Sequence, residues 1–253
     1  MDPASRISLT EDGFLGESLS VLQPSKGYRA ATDPVFLAAS VPARPGETVL
    51  ELGCGVGVAL LCLARRVPDL SLTGVEIQPD YALLAKRNAR RNVVPMHILT
   101  GDIADLPAAL RAISFHHVIL NPPYLRAGCG TTARDAGKER AFREATPLAM
   151  WIGTAIRRLR PKGWLSVIQR ADRLPELLQL LGATMGSIEV KPLSARQDRT
   201  AGRVILRAQK GGRADFRLHA PLILHKGATH SSDSDGFTEI VDAILRQGAP
   251  LRF

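Results

Sequence analysis

From about residue 47 onward the chain alternates short apolar runs with stretches of helical period, and this alternation constrains the fold more than any other feature. Thr48-Val49-Leu50-Glu51-Leu52 is an apolar run ending in a glycine cluster, the pattern of a buried parallel strand. Residues 58–66 follow with Leu60, Leu61, Leu63 and Ala64 at helical spacing. The same reading predicts strands over 71–75, 96–100, 117–120, 164–169, 188–192 and 203–208. It predicts helices over 79–92, 147–159, 174–181 and 238–246. Pro79 suits the first turn of its helix, and Pro161 and Gly163 stop the helix over 147–159. Strand alternating with helix implies an α/β fold, a Rossmann-like, doubly wound, mostly parallel sheet of seven strands with helices on both faces. The expected organisation is a single domain over residues 1–253. It comprises an N-terminal extension (1–45), a catalytic core (46–210) and a short C-terminal extension (211–253). Ligands of such sheets bind outside the carboxyl ends of the strands, at the point where strand order reverses.

The first glycine cluster, Glu51-Leu52-Gly53-Cys54-Gly55-Val56-Gly57, sits at that kind of strand end. Glycines there let the backbone turn sharply and approach a ligand closely. A dinucleotide site prefers Gly-x-Gly-x-x-Gly, with the pyrophosphate on the helix N-terminus. Here the spacing is Gly-x-Gly-x-Gly and a carboxylate, Glu51, precedes it. A carboxylate at that mouth repels a pyrophosphate and suits a cation. S-adenosylmethionine, with a sulfonium, an ammonium and no phosphate, fits this requirement. One strand–helix unit later, Gly74-Val75-Glu76 places an acid where it can accept from both ribose hydroxyls of an adenosyl group. Gly101-Asp102-Ile103 follows the third strand; Asp102 is either an acceptor for the adenine amine or a helix N-cap.

The most specific motif is Val118-Ile119-Leu120-Asn121-Pro122-Pro123-Tyr124. Two prolines after an apolar strand fix the backbone and leave carbonyls without local partners. Asn121 and the Pro122 carbonyl can both accept from one substrate –NH2, and Tyr124 can stack on a flat base or amide. A sulfonium is already an activated methyl donor, so catalysis by these residues is mainly alignment.

This ordered set resembles the class I methyltransferases of the Asn-Pro-Pro-Tyr type, which act on adenine N6, cytosine N4, guanine N2 or glutamine N5. The resemblance runs from Leu15 to Leu251. More narrowly, the chain looks like the bacterial tRNA1(Val) adenine N6-methyltransferase family, which modifies the adenine just 3′ of the anticodon. The segments carrying that likeness are residues 22–33 (LQPSKGYRAATD), 168–174 (IQRADRL) and 221–225 (PLILH). The family's first segment usually ends Gly-Thr-Asp; here it is Ala31-Thr32-Asp33. The resemblance implies catalytic roles for Asn121, Pro122 and Tyr124. It implies S-adenosylmethionine binding by Asp33, Glu51, Gly53, Gly55, Gly57, Glu76, Asp102 and Asn121, with Asp33 at the methionine end.

Charge agrees with an RNA partner, tRNA by the resemblance: the net charge is +9 and the pI near 10.0. Two basic stretches, Arg126 to Arg143 and Lys191 to Arg217, are expected to follow an RNA backbone, with Arg203 and Arg207 among the contacts. The target base would swing out into the Asn121–Tyr124 pocket. Cys54, Cys62 and Cys129 form no Cys-x-x-Cys pair, and their odd count argues against a disulfide framework, so a cytoplasmic location is expected. No membrane span or secretory signal is expected. No metal is expected either, because His225, His230, Asp233 and Asp235 match no compact zinc spacing. His116 and His117 read as structural. The alternatives are a protein-glutamine methyltransferase, a nicotinamide-dependent dehydrogenase and a non-catalytic RNA-binding module. Strong basicity disfavours the first, Glu51 the second and the intact motif at 121–124 the third.

Overall fold

The computed structural model describes residues 8–124, 146–227 and 236–253. Its centre is a nine-stranded sheet. The strands are β3 (Thr48–Leu52), β4 (Ser71–Glu76), β5 (Met96–Thr100), β6 (Phe115–Leu120), β7 (Leu159–Arg170), β8 (Met185–Ser194) and β9 (Arg203–Lys210), with β10 (Arg217–Leu218) and β11 (Leu222–Ile223) at one edge. The order is β10-β8-β9-β7-β6-β3-β4-β5, and β11 also pairs with β8. All neighbours are parallel except β9, which runs antiparallel to both β7 and β8. The seven expected strands are therefore present, and the two-residue β10 and β11 add to them.

Alternate residues of the central strands feed two separate cores, which is why these strands read as continuous apolar runs. Val49, Ile119, Ile168 and Ile205 join one core, beneath α1 (Asp33–Ser40), α2 (Val58–Arg66), α3 (Pro79–Arg91) and α7 (Glu239–Gln247). Leu50, Leu52, Val118, Leu120, Val167 and Leu206 join the other, beneath α4 (Ala108–Arg111), α5 (Leu148–Arg158) and α6 (Leu174–Leu181). The chain builds β3, β4 and β5 outward, then returns to place β6 on the other side of β3. Strand order reverses there, so the carboxyl ends of β3 and β6 flank the crevice in which such sheets hold ligands. Among the described residues, no helix is long and apolar enough to cross a membrane.

Residues 9–24 contribute a hairpin, β1 (Leu9–Phe14) with β2 (Leu19–Pro24), antiparallel and outside the main sheet. Its outer edge is closed by side chains. Asn88 on α3 and Asn92 at its C-cap, one turn apart and so on the same face, meet β2 as a neighbouring strand would. Leu22 N–H donates to Asn88 Oδ1 (2.8 Å) and Ser20 N–H to Asn92 Oδ1 (3.0 Å). The two amides donate back to the Leu22 and Ser20 carbonyls at 3.0 and 2.8 Å. Asn88 also donates to Val56 O in the glycine loop at 3.0 Å. The hairpin is thereby tied to the site, and Gln23 carries the tie into the next loop by accepting from Ala30 N–H at 2.8 Å.

Candidate active site

A cavity of about 270 Å³ opens at the carboxyl ends of β3, β4 and β6. Asp33, Glu51, Gly53, Gly55, Glu76, Asp102, Asn121, Pro122 and Tyr124 all line it. Of the catalytic and cofactor-binding residues expected from the sequence, Gly57 alone does not. It is the N-cap of α2, at φ 90°, where its left-handed backbone starts the helix.

The glycine loop is pinned across β4: Gly53 and Cys54 N–H both donate to Val75 O, at 2.8 and 3.0 Å. Gly53 has φ +71°, and a Cβ there would stand 2.6 Å from the Trp151 ring. Position 53 therefore needs glycine twice over, for its backbone angle and for its contact with an aromatic wall of the cavity.

Two buried carboxylates face this loop. Glu76 accepts from Gly55 N–H and Gln78 N–H, both at 2.9 Å. Burial raises its pKa, and those backbone donors pull it back. Glu51 is less satisfied: its Oε2 is buried and has no hydrogen-bond partner. Burial, with Glu76 nearby as the next cause, pushes the Glu51 pKa well above the carboxylate range. A buried acid with an unpartnered oxygen, beside a second acid, is poorly placed to tolerate an anion and well placed to receive a cation. This donor set fits S-adenosylmethionine and does not fit a pyrophosphate. Asp102 takes the turn role, its Oδ1 accepting from Ala104 N–H at 2.8 Å, and lines the cavity as well.

At the opposite wall stands residues 121–124, positioned by β6. The Tyr124 hydroxyl donates to Asp33 Oδ2 and lies 3.1 Å from Asn121 Oδ1. Burial and the Asp33 charge raise the Tyr124 pKa, so the phenol stays protonated. Asp33 also receives Arg203 Nε at 2.7 Å. Ala31 does not adopt a positive φ, so the turn before Asp33 forms without glycine.

Among the residues not expected as site residues from the sequence are Trp151 and Tyr28 on the cavity wall and Gln169 behind the motif. Gln169 is fully buried; its Oε1 accepts from Arg170 N–H at 2.8 Å, which aims Nε2 at the Pro123 carbonyl (3.3 Å). It lies inside the segment 168–174 that carried the narrower resemblance, and that was its only local signal. Trp151, from α5, belongs to no local motif, whereas Tyr28, from the loop after β2, lies inside the segment 22–33 that also carried the resemblance.

The basic stretch Arg126 to Arg143, with Cys129, lies outside the described residues, as do His230, Asp233 and Asp235. In the second stretch, the structure assigns two arginines other work than RNA contact. Arg207 is mostly buried; it pairs with Glu189 at 2.5 Å, and its Cζ lies 3.7 Å from the centroid of the Phe253 ring. Arg203 belongs to the cavity. Arg199 remains exposed, in the turn between β8 and β9. His225 stacks on Phe237 at 4.9 Å, and His117 pairs with Glu47 at 2.7 Å at the far end of the sheet.

Comparison with known proteins gives a consistent answer. The family model of the methyltransferase small domain matches residues 31–192. A tRNA1(Val) (adenine(37)-N6)-methyltransferase of Porphyromonas gingivalis is 31% identical over 181 residues, 68% of this chain and 70% of that one. Among solved structures, a predicted O-methyltransferase from Agrobacterium tumefaciens, protein Atu636, is 28% identical with a TM-score of 0.69, over 87% of this chain and 98% of that chain. The T. thermophilus 16S rRNA N2 G1207 methyltransferase, solved with AdoMet and guanosine, shares the fold at 21% identity and a TM-score of 0.54, over 80% of this chain and 50% of that one. With a cavity that suits a cationic cofactor at the switch point of its sheet, the chain belongs to the methyltransferase small domain family and is an S-adenosylmethionine-dependent methyltransferase.

Proposed function

We propose that the enzyme methylates the exocyclic N6 of an adenine in tRNA, at the anticodon-loop position 37 that its relatives' names give. One observation carries this reading: Asn121, Pro122 and Tyr124 line the same cavity as Glu51 and Glu76. Acceptors for an –NH2, an aromatic platform and a cation-accepting pocket thus share one space. The relatives named for adenine N6 in tRNA1(Val) support the substrate, as does the net charge of +9.

When bound, S-adenosylmethionine supplies a methyl group already activated by its sulfonium. Glu51 would receive positive charge of the cofactor, the glycine loop would admit it closely, and Glu76 would accept from the ribose with the lone pairs left by Gly55 and Gln78. Asp102 and Asp33, which also line the cavity, would hold its adenine and methionine ends. Asn121 Oδ1 and the Pro122 carbonyl accept the two hydrogens of the substrate amine and so fix its orientation. The ring of Tyr124 stacks on the base, a contact worth about 1–3 kcal/mol. No strong general base is required, because alignment and the donor's activation account for the rate.

The test uses tritiated methyl donor with two pools, bulk tRNA and RNase-treated protein, both from cells lacking the gene. Label is expected in tRNA. Label confined to protein would replace this reading with methylation of a glutamine side chain.

A further inference from the structure

Three segments far apart in sequence meet at one carboxylate beside the catalytic motif. Asp33 opens α1, Tyr124 ends the motif and Arg203 opens β9. Asp33 Oδ2 accepts from Arg203 Nε at 2.7 Å and from the Tyr124 hydroxyl. The same guanidinium lies over the Tyr124 ring, with Cζ 5.5 Å from its centroid, inside the range of a cation–π contact. The Asp33 side chain is 14% exposed and that of Arg203 43%, so the carboxylate is covered while the cation reaches the rim. Strand register reinforces the arrangement. Arg203 pairs with Arg170 across β7 and β9, one residue from Gln169, whose amide reaches the Pro123 carbonyl. The end of this strand pair therefore bears on the motif from both its carbonyl and its hydroxyl side.

We propose that Arg203 is a positioning residue for Tyr124: bonded through Nε to Asp33 and placed over one face of the ring, it holds the ring so that the other face receives the target base. The inference rests on the reading of Tyr124 as the stacking platform. A planar guanidinium can bond sideways through Nε while lying flat on a ring; a lysine ammonium is a point charge and cannot do both. Charge alone therefore does not suffice at position 203. The role also explains an arginine conspicuous in a basic stretch without assigning it to RNA. It acts on the base through Tyr124, and a phosphate need not be present for it to do so.

The test separates ring placement from RNA binding. The chain has three tyrosines, Tyr28, Tyr81 and Tyr124. Replacing all three with 3-fluorotyrosine gives three ¹⁹F signals, and Tyr124→Phe assigns the third. In R203M the Tyr124 signal is expected to move and broaden while the other two stay in place. R203K should resemble R203M in this spectrum. Methyl transfer to tRNA should show kcat lowered about tenfold or more, with cofactor Kd unchanged within about twofold. An unchanged Tyr124 signal in R203M would overturn the proposal. So would a raised KM at constant kcat, which describes a phosphate anchor. Should R203M fail to fold, R203Q removes the same ion pair while leaving the Asp33–Tyr124 bond, and must move the same signal. A wild type that leaves tRNA unlabelled would defeat the substrate reading and not this one, because the ¹⁹F result needs no RNA.

Discussion

Asn121→Ala lowers kcat for methyl transfer by about a thousandfold, roughly 4 kcal/mol of barrier, while S-adenosylmethionine still binds. The expectation follows from what the side chain contributes. Asn121 Oδ1 stands at the carboxyl end of β6, 3.1 Å from the Tyr124 hydroxyl, on the wall that carries the motif. It is one of two acceptors proposed to grip the substrate amine. Without it the amine keeps a single acceptor, the Pro122 carbonyl, and can rotate away from the methyl donor. Alignment supplies most of the rate here, so loss of alignment should appear in kcat more than in KM. The cofactor wall, built from β3 and β4, is untouched by the substitution. Steady-state kinetics with tRNA, paired with calorimetric titration of the cofactor, measures both quantities. Retention of more than about a tenth of wild-type kcat would remove Asn121 from the catalytic role.

Glu51→Gln separates stability from cofactor affinity. In the cofactor-free protein, burial and then Glu76 raise the Glu51 pKa well above its usual value, which disfavours the ionised form there. An amide of nearly the same shape should therefore leave the melting temperature unchanged or slightly raise it. The cationic cofactor reverses the preference, because its positive charge favours the carboxylate. Binding then expels a proton, and between the bound and free pKa values the affinity rises with pH, by up to about tenfold per pH unit. The sign follows from the ionised form being the one that binds. Below both values, and above both, affinity is independent of pH. Glu51→Gln cannot ionise, so it should weaken binding by about 2–3 kcal/mol, or roughly a hundredfold in Kd, and abolish the proton release. Titration in two buffers of different ionisation enthalpy reads both effects. Equal proton release in wild type and variant would show that another group couples to the cofactor.

Much of this was legible in the sequence, and the pattern of success is physical. β3, β6, β7 and β9 read clearly because strands buried on both faces carry unbroken apolar runs, as in Val118-Ile119-Leu120 and Val204-Ile205-Leu206. Val49, for instance, serves one core while Leu50 and Leu52 serve the other. The cavity residues read clearly because glycines and prolines are needed at fixed offsets from strand ends. The helix α1 gave no period, since Pro34 through Ser40 are all buried and it has no polar face. The hairpin of β1 and β2 gave little signal because the groups that close its edge, Asn88 and Asn92, lie 66 and 72 residues away from Leu22 and Ser20. The charge count in the second basic stretch misled at Arg207, whose partner Glu189 sits on the neighbouring strand. Composition cannot distinguish a paired arginine from a solvated one. Arg203, on the cavity wall, and Gln169, behind the motif, come together only once β7 and β9 are in register.

The central claim is that the transferred methyl group ends on adenine N6. It is tested most directly by incubating the enzyme and S-adenosylmethionine with an unmodified tRNA1(Val) transcript and with one carrying guanine in place of adenine 37. Each transcript is then digested to nucleosides for mass spectrometry. The account predicts N6-methyladenosine from the first transcript and no methylated nucleoside from the second. Equal methylation of both transcripts, or a methyl group recovered on a ribose oxygen, would contradict it.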